Sequence, residues 1–261
     1  MIYQTIKYTQ EKNICKITIN RPEVRNALNS LVVNELYDAF SKAEKDENIR
    51  LVILSGEGKS FCAGADLKWL GEVADFSYEQ NYDESYKLVK LLYLIHDLSK
   101  PVIARVNGSA VGGGVGLMLV SDIIIADDES LFGISEVSIG IVPAAIVPFI
   151  LNRIGETKAR EYLITGERIN AKTAQEIGLI NYAVKRELLD KKVNTTVDLI
   201  LGNGPNALRI VKSMINIIKK SGNEEHLDYI AQTIAELRIS LEGQEGMRAF
   251  LSKTKPSWAI K

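Results

Sequence analysis

Short apolar runs alternate with longer amphipathic stretches over the first 190 residues. Polar and apolar residues alternate in IYQTIKYT and ICKITIN, which predicts two opening strands. Continuous apolar runs of strand length predict buried strands in LVILSG, PVIARVNG and IIIAD, and LFGISEV and LINYAVK predict further strands. Helical spacing predicts a helix from Ser30, as its cap, to about Lys45 and another over residues 78–98. The pattern therefore predicts an α/β fold.

Helical periodicity dominates the rest of the chain. Two short helices are predicted in VPFILNRIG and TKAREYLITG, with Gly155 and Gly166 as C-caps, and a third in AKTAQEIG. From about Leu188 every segment has helical spacing. We therefore expect an α/β core over residues 1–190 and a helical C-terminal region over residues 191–261. A region of this size has too little volume for a rich core of its own, so it should pack on the core, on a sister subunit, or on both.

Composition narrows the possible partners and cofactors. The formal net charge of −1 gives no overall field that favours nucleic acid or an anionic membrane, although a local basic patch for a phosphorylated ligand remains possible. The N-terminus lacks a signal pattern, and no apolar run reaches the length of a membrane span, so we expect a cytoplasmic protein. Cys15 and Cys62 are predicted to be small buried residues, His96 to pack or cap near a helix end, and His226 to lie on a helix surface. These side chains form no ligand cluster, so no metal site is expected.

The run VNGSAVGGGVGLMLVS places three consecutive glycines between a strand and a helix. A bare backbone at a helix start exposes N–H groups to an anion. A phosphate site is disfavoured, because the run lacks the Walker pattern and has Met118 where a dinucleotide fingerprint needs its third glycine. Two interpretations of the glycine run remain: tight packing of the helix on the sheet, and an oxyanion hole. A second loop, Ser60–Asp66, has the same strand-to-helix context, so the two loops could converge on one carbonyl oxygen.

Several longer motifs carry a family resemblance. The chain contains NRPEVRNALN near its start, then SFCAGADLKWL, and then KPVIARVNGSAVGGGVGLMLVSDIIIADDESLFGISEVSIGIVP. These motifs are followed by ITGERINAKTAQEIGLINYAV and, near the end, by EGMRAFLSKTKPSW. Together they resemble the crotonase, or enoyl-CoA hydratase/isomerase, superfamily almost from end to end. The resemblance implies a crotonase-like spiral of ββα units with a helical C-terminal trimerisation region. It also implies an acyl-CoA thioester as substrate, no separate cofactor, and assembly as a homotrimer or a dimer of trimers.

The resemblance also implies which residues form the site. The N–H groups of Ala65 and Gly113 would be the oxyanion donors, and Glu136 would be the catalytic acid/base. The resemblance also implies substrate-binding residues. Arg25 and Ala27 would belong to an adenine-binding segment, Lys68 would lie near the CoA phosphates, and Ala63, Asp66, Gly112 and Gly116 would lie in the two loops or just after them. Phe250 and Lys253 match C-terminal residues that in this family complete a CoA site, which is sometimes the site of a neighbouring subunit. Lys68 and Lys253 could equally be solvated surface charges, and Asp66 and Asp122 could simply cap helices or hold loops.

Two-glutamate hydratases of this family carry one carboxylate three residues after the donor glycine and another 20 residues further on. Here the first position is Gly116 and the second is Glu136, whose apolar surroundings should raise its pKa. The sequence thus departs from the two-carboxylate pattern. Because glycine has no side chain, we expect Gly116 to leave room for a bulkier or polar acyl group. GGGVGL and PAAIVPF resemble the bacterial branch often assigned as methylglutaconyl-CoA hydratase of leucine breakdown.

Four functions stay open at this point. Hydration of a 2-enoyl-CoA leads, followed by a double-bond shift in an enoyl-CoA and by decarboxylation of a branched acyl thioester, whose carrier could be CoA or a carrier protein. A non-catalytic acyl-CoA-binding or RNA-binding relative is the weakest alternative, because both the neutral charge and the retained Glu136 count against it.

Overall fold

A computed structural model describes residues 2–220 and 226–259, with the side chains of residues 219 and 220 left aside. Its strands are β1 Ile6–Glu11, β2 Ile14–Ile19, β3 Leu51–Gly56, β4 Val102–Val106, β5 Ala110–Val111, β6 Ile123–Asp127, β7 Leu131–Gly133, β8 Ile169–Asn170 and β9 Tyr182–Val184. Its helices are α1 Ser30–Lys45, α2 Leu67–Ala74, α3 Tyr78–His96, α4 Gly113–Leu119, α5 Val147–Thr165, α6 Ala171–Glu176, α7 Arg186–Leu201, α8 Pro205–Lys220, α9 Leu227–Ile239 and α10 Leu241–Leu251. Two 3-10 helices cover Pro22–Val24 and Glu136–Ile139. The predicted α/β class is confirmed.

The larger sheet is six-stranded, in the order β1-β2-β3-β4-β6-β9. Only the β1–β2 pair is antiparallel, and the other pairs are parallel. Every residue of β3 is buried, because one face packs with α1 and α3 in the main core and the other packs against α7. This double cover explains the unbroken apolar run LVILSG. Since β3 and β4 are parallel neighbours, the loops that follow them leave the sheet at the same edge.

A small three-stranded sheet, β5-β7-β8, lies beside the site loops. Ala110, Phe132 and Ile169 form one row across it and are buried in the main core. The next row contains Val111 and Gly133. The small sheet therefore anchors the residue pair that leads directly into the glycine run.

Several local predictions are confirmed. Cys15 and Cys62 are fully buried, and burial raises the pKa of the Cys62 thiol to about 12. His96 ends α3 and its ring lies 5.3 Å from that of Phe149. Gly166 caps α5 in the left-handed conformation, and α5 is interrupted by non-helical angles at Gly155, as its predicted cap position requires. Each of these features could be predicted from residues that are close together in the sequence.

Other predictions are wrong in detail. The first strand begins at Ile6 rather than residue 2. Asn29, not Ser30, caps α1, since its side chain accepts the N–H of Val32 and asparagine is as good an N-cap as serine. His226 is 5% exposed rather than on a helix surface, because it occupies the N-cap position of α9. LFGISEV is a strand only to Gly133, after which the chain turns into a 3-10 helix.

The C-terminal helices pack at the amino-terminal edge of the large sheet. Lys212 on α8 donates to the carbonyl of Lys100 and pairs with Asp122, which precede β4 and β6. The predicted domain boundary at residue 190 lies inside α7, which covers one face of the sheet. The division into two domains stays a prediction. In the described part of the chain, no helix is both long and apolar enough to cross a membrane.

Arg50 joins this helical region to β3. Its guanidinium donates to the carbonyls of Leu201, Asn203 and Trp258 at 2.8–3.0 Å. One cation thus donates hydrogen bonds both to backbone carbonyls at the end of α7 and to a backbone carbonyl of the C-terminal tail. Burial lowers the pKa of Arg50 from its usual value.

We predict that Arg50→Ala lowers the free energy of unfolding by about 1.5–3 kcal/mol, the range for a hydrogen bond to a charged group. Arg209→Ala is the matched control, because exposed Arg209 donates to Asn206 within its own helix and to no other described residue. That variant should change stability by less than about 0.5 kcal/mol. Urea denaturation at one protein concentration measures both, and equal losses would contradict the role of Arg50 as a clamp.

Candidate active site

The two glycine-containing loops are joined by a short parallel bridge. Cys62 pairs with Ala110, with Val111 N–H donating to Cys62 O at 3.0 Å and Cys62 N–H to Ser109 O at 3.4 Å. The backbone of Gly64 lies so close to Val111 that a Cβ atom there would be 2.9 Å from its carbonyl oxygen. Gly64 also has φ +87°, which glycine adopts without strain. The loops therefore run side by side, and their convergence on one carbonyl oxygen stays a prediction.

Ala65 has an exposed amide because its neighbours make the local hydrogen bonds. Leu28 forms a parallel bridge with Ala65, in which Leu28 N–H donates to Gly64 O at 2.7 Å and Asp66 N–H donates to Leu28 O at 2.8 Å. In this pattern the N–H of the central residue points away from the partner strand. Within the described residues, the Ala65 N–H has no backbone acceptor, and Ala65 itself is exposed.

The Gly113 amide is free for a different reason. Gly112 has φ +50° and ψ −121°, and its own N–H donates to Gly133 O at 2.8 Å on the small sheet. Gly113 is the first residue of α4, where N–H groups lack intrahelical acceptors. Gly114 is buried against Cys62, whose Cβ would lie 2.8 Å from any Cβ at Gly114. The middle glycine of the triplet therefore presents its amide beside the first loop.

Glu136 stands next to this glycine run. A Cβ atom at Gly112 would lie 2.9 Å from Glu136 Oε1. The other oxygen, Oε2, is buried and has no hydrogen-bond partner in the part of the chain that the structure describes. Burial raises the pKa of Glu136 above its ordinary value, as predicted. A half-buried carboxyl with one buried, unpartnered oxygen is costly for folding, which favours a chemical role over a structural ion pair.

Gly116 does not leave an open space. A Cβ atom there would overlap the Cγ2 methyl of Ile146 and would lie 3.5 Å from Leu92 Cδ1. Both apolar side chains are buried, with 2% and 0% exposure. The expectation that Gly116 makes room for a larger acyl group is therefore wrong, because the protein's own side chains fill that volume.

The predicted adenine-binding segment is held by hydrogen bonds to its neighbours. Arg25 and Asn26 have φ +53° and +59°, and Ala63 N–H donates to Arg25 O at 3.0 Å. Ala27 O accepts from Arg21 at 2.7 Å. These contacts place the segment directly against the first loop, although the role of Arg25, Ala27 and Ala63 in binding stays a prediction.

Asp66 and Lys68 follow the oxyanion loop. Asp66 caps α2 by accepting the Lys68 N–H and pairs with Arg21 at 2.7 Å. Although burial favours its neutral form, these bonds hold the pKa of Asp66 below the ordinary value. The expectation that Asp66 caps a helix is confirmed. Lys68 is exposed beside a pocket of about 270 Å³ whose lining is mostly polar and includes Arg21, Asp66 and Trp69.

Phe250 and Lys253 lie away from the site of their own chain. The tail that follows α10 returns to α10 at Gly246 through Trp258, whose carbonyl accepts from Arg50 at the amino end of β3. The first candidate loop leaves the carboxyl end of β3, and the second leaves the neighbouring end of β4. Because β3 has six residues, its amino and carboxyl ends are roughly 20 Å apart. The structure therefore does not bring these two residues to the loops of the same chain.

Sequence reasoning missed three residues that shape the site. Leu28 fixes the Ala65 amide, Asn26 fastens the same loop, and Ile146 fills the space at Gly116. NRPEVRNALN contained the first two, but nothing in its spacing indicated which loop they would meet. PAAIVPF contained Ile146, but nothing in that motif indicated a contact with Gly116.

Glu136→Gln is expected to stabilise the protein in a pH-dependent way. Because the folded pKa is raised above the ordinary 4.5, ionisation costs the folded state stability above that raised pKa. The glutamine variant should gain stability over the wild type there, and the gain should disappear as the pH falls through the raised pKa to about 4.5. Urea denaturation across this range measures it. Exposed Glu129→Gln is the control, and a gain that is independent of pH would contradict the burial argument.

Comparison with known proteins identifies a family for this chain. The family model described as Enoyl-CoA hydratase/isomerase matches residues 9–261. An enoyl-CoA hydratase/isomerase from Marinobacter aquaeolei is 33% identical, with a TM-score of 0.93 and coverage of 98% of this chain and 99% of that chain. An enoyl-CoA hydratase from Shewanella pealeana is 32% identical, with a TM-score of 0.94 and coverage of 98% and 96%. One from Bacillus anthracis is 31% identical, with a TM-score of 0.92 and coverage of 99% and 100%.

The comparisons cover both the α/β core and the helical region. The fold is therefore the crotonase fold, and the relatives named as enoyl-CoA hydratases indicate an enzyme with hydratase-like activity. By sequence and by structure, the chain belongs to the enoyl-CoA hydratase/isomerase family.

Proposed function

We propose that the protein hydrates a 2-enoyl-CoA thioester, with the amides of Ala65 and Gly113 as the oxyanion hole and Glu136 as the only acid/base. The observation that carries this proposal is the position of the Glu136 carboxyl beside Gly112, next to the loop pair joined at Cys62 and Ala110. Two amides without backbone acceptors and one carboxyl oxygen, Glu136 Oε2, without a hydrogen-bond partner support this proposal in the described structure.

The amides would stabilise the charge that develops on the thioester oxygen. When water adds to C3 of the acyl group, the electrons of the C2–C3 double bond move toward the carbonyl and an enolate forms. Removing one donor from such a hole costs about 2.7–4 kcal/mol of transition-state stabilisation. Both donors are backbone amides, so the conformation of the two loops would set the position of the oxyanion hole.

Glu136 would handle both proton transfers. As the carboxylate it takes a proton from water while the water oxygen bonds to C3. As the carboxylic acid it then returns that proton to C2, which restores the carbonyl and regenerates the carboxylate. Its raised pKa brings the two protonation states closer in energy near neutral pH, as a shuttle requires. Since Ile146 fills the space at Gly116, no second carboxylate assists in this scheme.

CoA binding would extend from the oxyanion loop toward the surface. The Arg25–Ala27 segment would contact adenine, and Lys68 would pair with phosphate oxygens beside the polar pocket. Phe250 and Lys253 would complete the site of a sister subunit in a homotrimer or a dimer of trimers. The strong exposure of Phe250, Leu251 and Leu241, between 79% and 91%, supports burial of α10 against another copy.

The acyl group would be branched and carboxylated, with 3-methylglutaconyl-CoA of leucine breakdown as the leading candidate. This part of the proposal depends on the resemblance of GGGVGL and PAAIVPF to that bacterial branch. A double-bond shift in an enoyl-CoA is the second candidate, because a single carboxyl can remove a proton from one carbon and return it to another.

Product analysis with a panel of acyl-CoA thioesters tests the proposal. Hydration removes the absorbance of the conjugated thioester and adds the mass of one water. Isomerisation of a 3-enoyl-CoA creates that absorbance without a mass change, and decarboxylation releases carbon dioxide. We expect hydration, fastest with a branched carboxylated 2-enoyl-CoA. Turnover only of a 3-enoyl-CoA, or only with loss of carbon dioxide, would contradict the proposal.

We predict that Glu136→Gln lowers kcat by about 10²–10⁴-fold, the usual contribution of general acid–base catalysis. CoA binding should remain, because the carboxyl does not contact the nucleotide in this proposal. Steady-state kinetics and a CoA-binding titration measure the two effects, with Glu129→Gln as the control. Near-normal kcat in the Glu136 variant would remove Glu136 from the mechanism.

A pair of glycine variants separates backbone strain from catalysis. Gly112→Ala and Gly140→Ala both place alanine at positive φ, but a Cβ at Gly140 meets nothing within 4 Å, whereas one at Gly112 meets Glu136. Each should lose at least about 1–2 kcal/mol of stability. Only Gly112→Ala should also lose kcat, by about 10²-fold, because it displaces the carboxyl. Equal kcat losses in the two folded variants would contradict this explanation.

A further inference from the structure

We propose that Asn26 and Arg21 are positioning residues that aim the Ala65 amide at the thioester oxygen. This inference rests on the proposed oxyanion hole. Neither side chain would touch the substrate. Both would act through the backbone of the loop that contains Ala65.

Asn26 fastens the beginning of this loop. Its side chain is fully buried, and its Nδ2 donates to the carbonyls of Glu57 at 2.9 Å and Ser60 at 2.8 Å. Its Oδ1 accepts the N–H of Arg21 at 2.9 Å. The amide group thus bridges the segment before α1 and the loop after β3 with three hydrogen bonds.

Arg21 fastens the other end of the loop. One guanidinium nitrogen donates to Ala27 O at 2.7 Å, and another donates to Asp66 Oδ2 at 2.7 Å. The side chains of Arg21 and Asp66 are only 17% and 10% exposed, so solvent screens this pair weakly. Because Asp66 directly follows Ala65, the ion pair restrains the peptide group that adjoins the proposed donor.

The remaining contacts leave one direction for the Ala65 amide. Ala63 N–H donates to Arg25 O, and Leu28 binds the loop backbone on both sides of Ala65. Residues 57, 60, 63, 64 and 66 are thus all held by the segment between Arg21 and Leu28. The N–H at residue 65 has no backbone acceptor in the described chain, and the N–H of the preceding Gly64 interacts with the Cys62 thiol.

A positioning role has a kinetic signature that a purely structural role lacks. A donor that is displaced by about 1 Å can cost 10²-fold in rate while the substrate still binds. The loss should therefore appear in kcat and in stabilisation of an enolate, and it should spare KM. A residue that only stabilises the fold would leave kcat per folded molecule unchanged.

Asn26→Gly is the decisive variant. Glycine adopts the φ of +59° without strain, so the substitution removes the hydrogen bonds and keeps the backbone conformation. Arg21→Lys is the second variant, because it keeps the positive charge and loses the paired donors. Asn13→Gly is the matched control, since Asn13 Nδ2 also donates to a backbone carbonyl, that of Asn48 at 2.9 Å, at the opposite edge of the sheet.

Two measurements on the full-length protein test the inference. The first is kcat and KM with the enoyl-CoA that turns over fastest. The second is the near-ultraviolet absorbance of a bound 3-ketoacyl-CoA, which reports the fraction held as enolate without requiring turnover. We expect Asn26→Gly to lower kcat by about 10²-fold, with a KM change below threefold. The bound enolate fraction should fall in parallel, and Arg21→Lys should show a smaller loss of both.

The outcomes separate this inference from the proposed function. If the wild-type protein holds no enolate, the oxyanion hole itself is wrong. If it does and Asn26→Gly matches the Asn13→Gly control in both measurements, the positioning role is overturned. If Asn26→Gly does not fold, Arg21→Lys decides, and unchanged kcat and enolate fraction in that variant overturn the inference.

Discussion

The parallel bridge between Cys62 and Ala110 is the contact on which the candidate site depends. It binds together two loops that are almost 50 positions apart in the sequence, and it needs no side-chain chemistry of its own. Gly64 and Gly114 permit it, because a Cβ at either position would strike the opposite loop. Once the loops are joined, the amides that follow them have a fixed relation. The first requirement of the site is therefore close backbone packing, and its polar chemistry is built on that packing.

The sheet supplies the rigid base for this bridge. Strands β3 and β4 are parallel neighbours with both faces of β3 covered, so the loops at their carboxyl ends start from a fixed spacing. The segment from Arg21 to Leu28 then lines one side of the first loop and makes hydrogen bonds on both sides of Ala65. Burial of β3 and order in the loop are thus parts of one arrangement, because displacement of the strand would also displace the loop.

The sequence predicted what depends on local chemistry. The buried strands, the helix break at Gly155 and the left-handed cap at Gly166 follow from neighbouring residues alone, and the family motifs indicated Ala65, Gly113 and Glu136. Contacts between distant segments could not be predicted in this way. Ile146 meets Gly116 across 30 residues, and the tail with Phe250 lies at the far edge of the sheet. Such pairs depend on how helices stack, which single-sequence periodicity does not encode.

In the proposed mechanism Glu136 is the single catalytic carboxyl, and Ile146 fills the volume beside Gly116. A second carboxylate near Glu136 would repel it, and this repulsion would raise the pKa of one of the two groups further. The buried methyl of Ile146 occupies the volume beside Gly116 and introduces no charge. Burial then raises the pKa of Glu136, and the interaction with its own backbone N–H opposes this rise. An acyl group that covers Glu136 would deepen this burial and raise the pKa of Glu136 further, so substrate binding itself would strengthen Glu136 as the base that takes the proton from water.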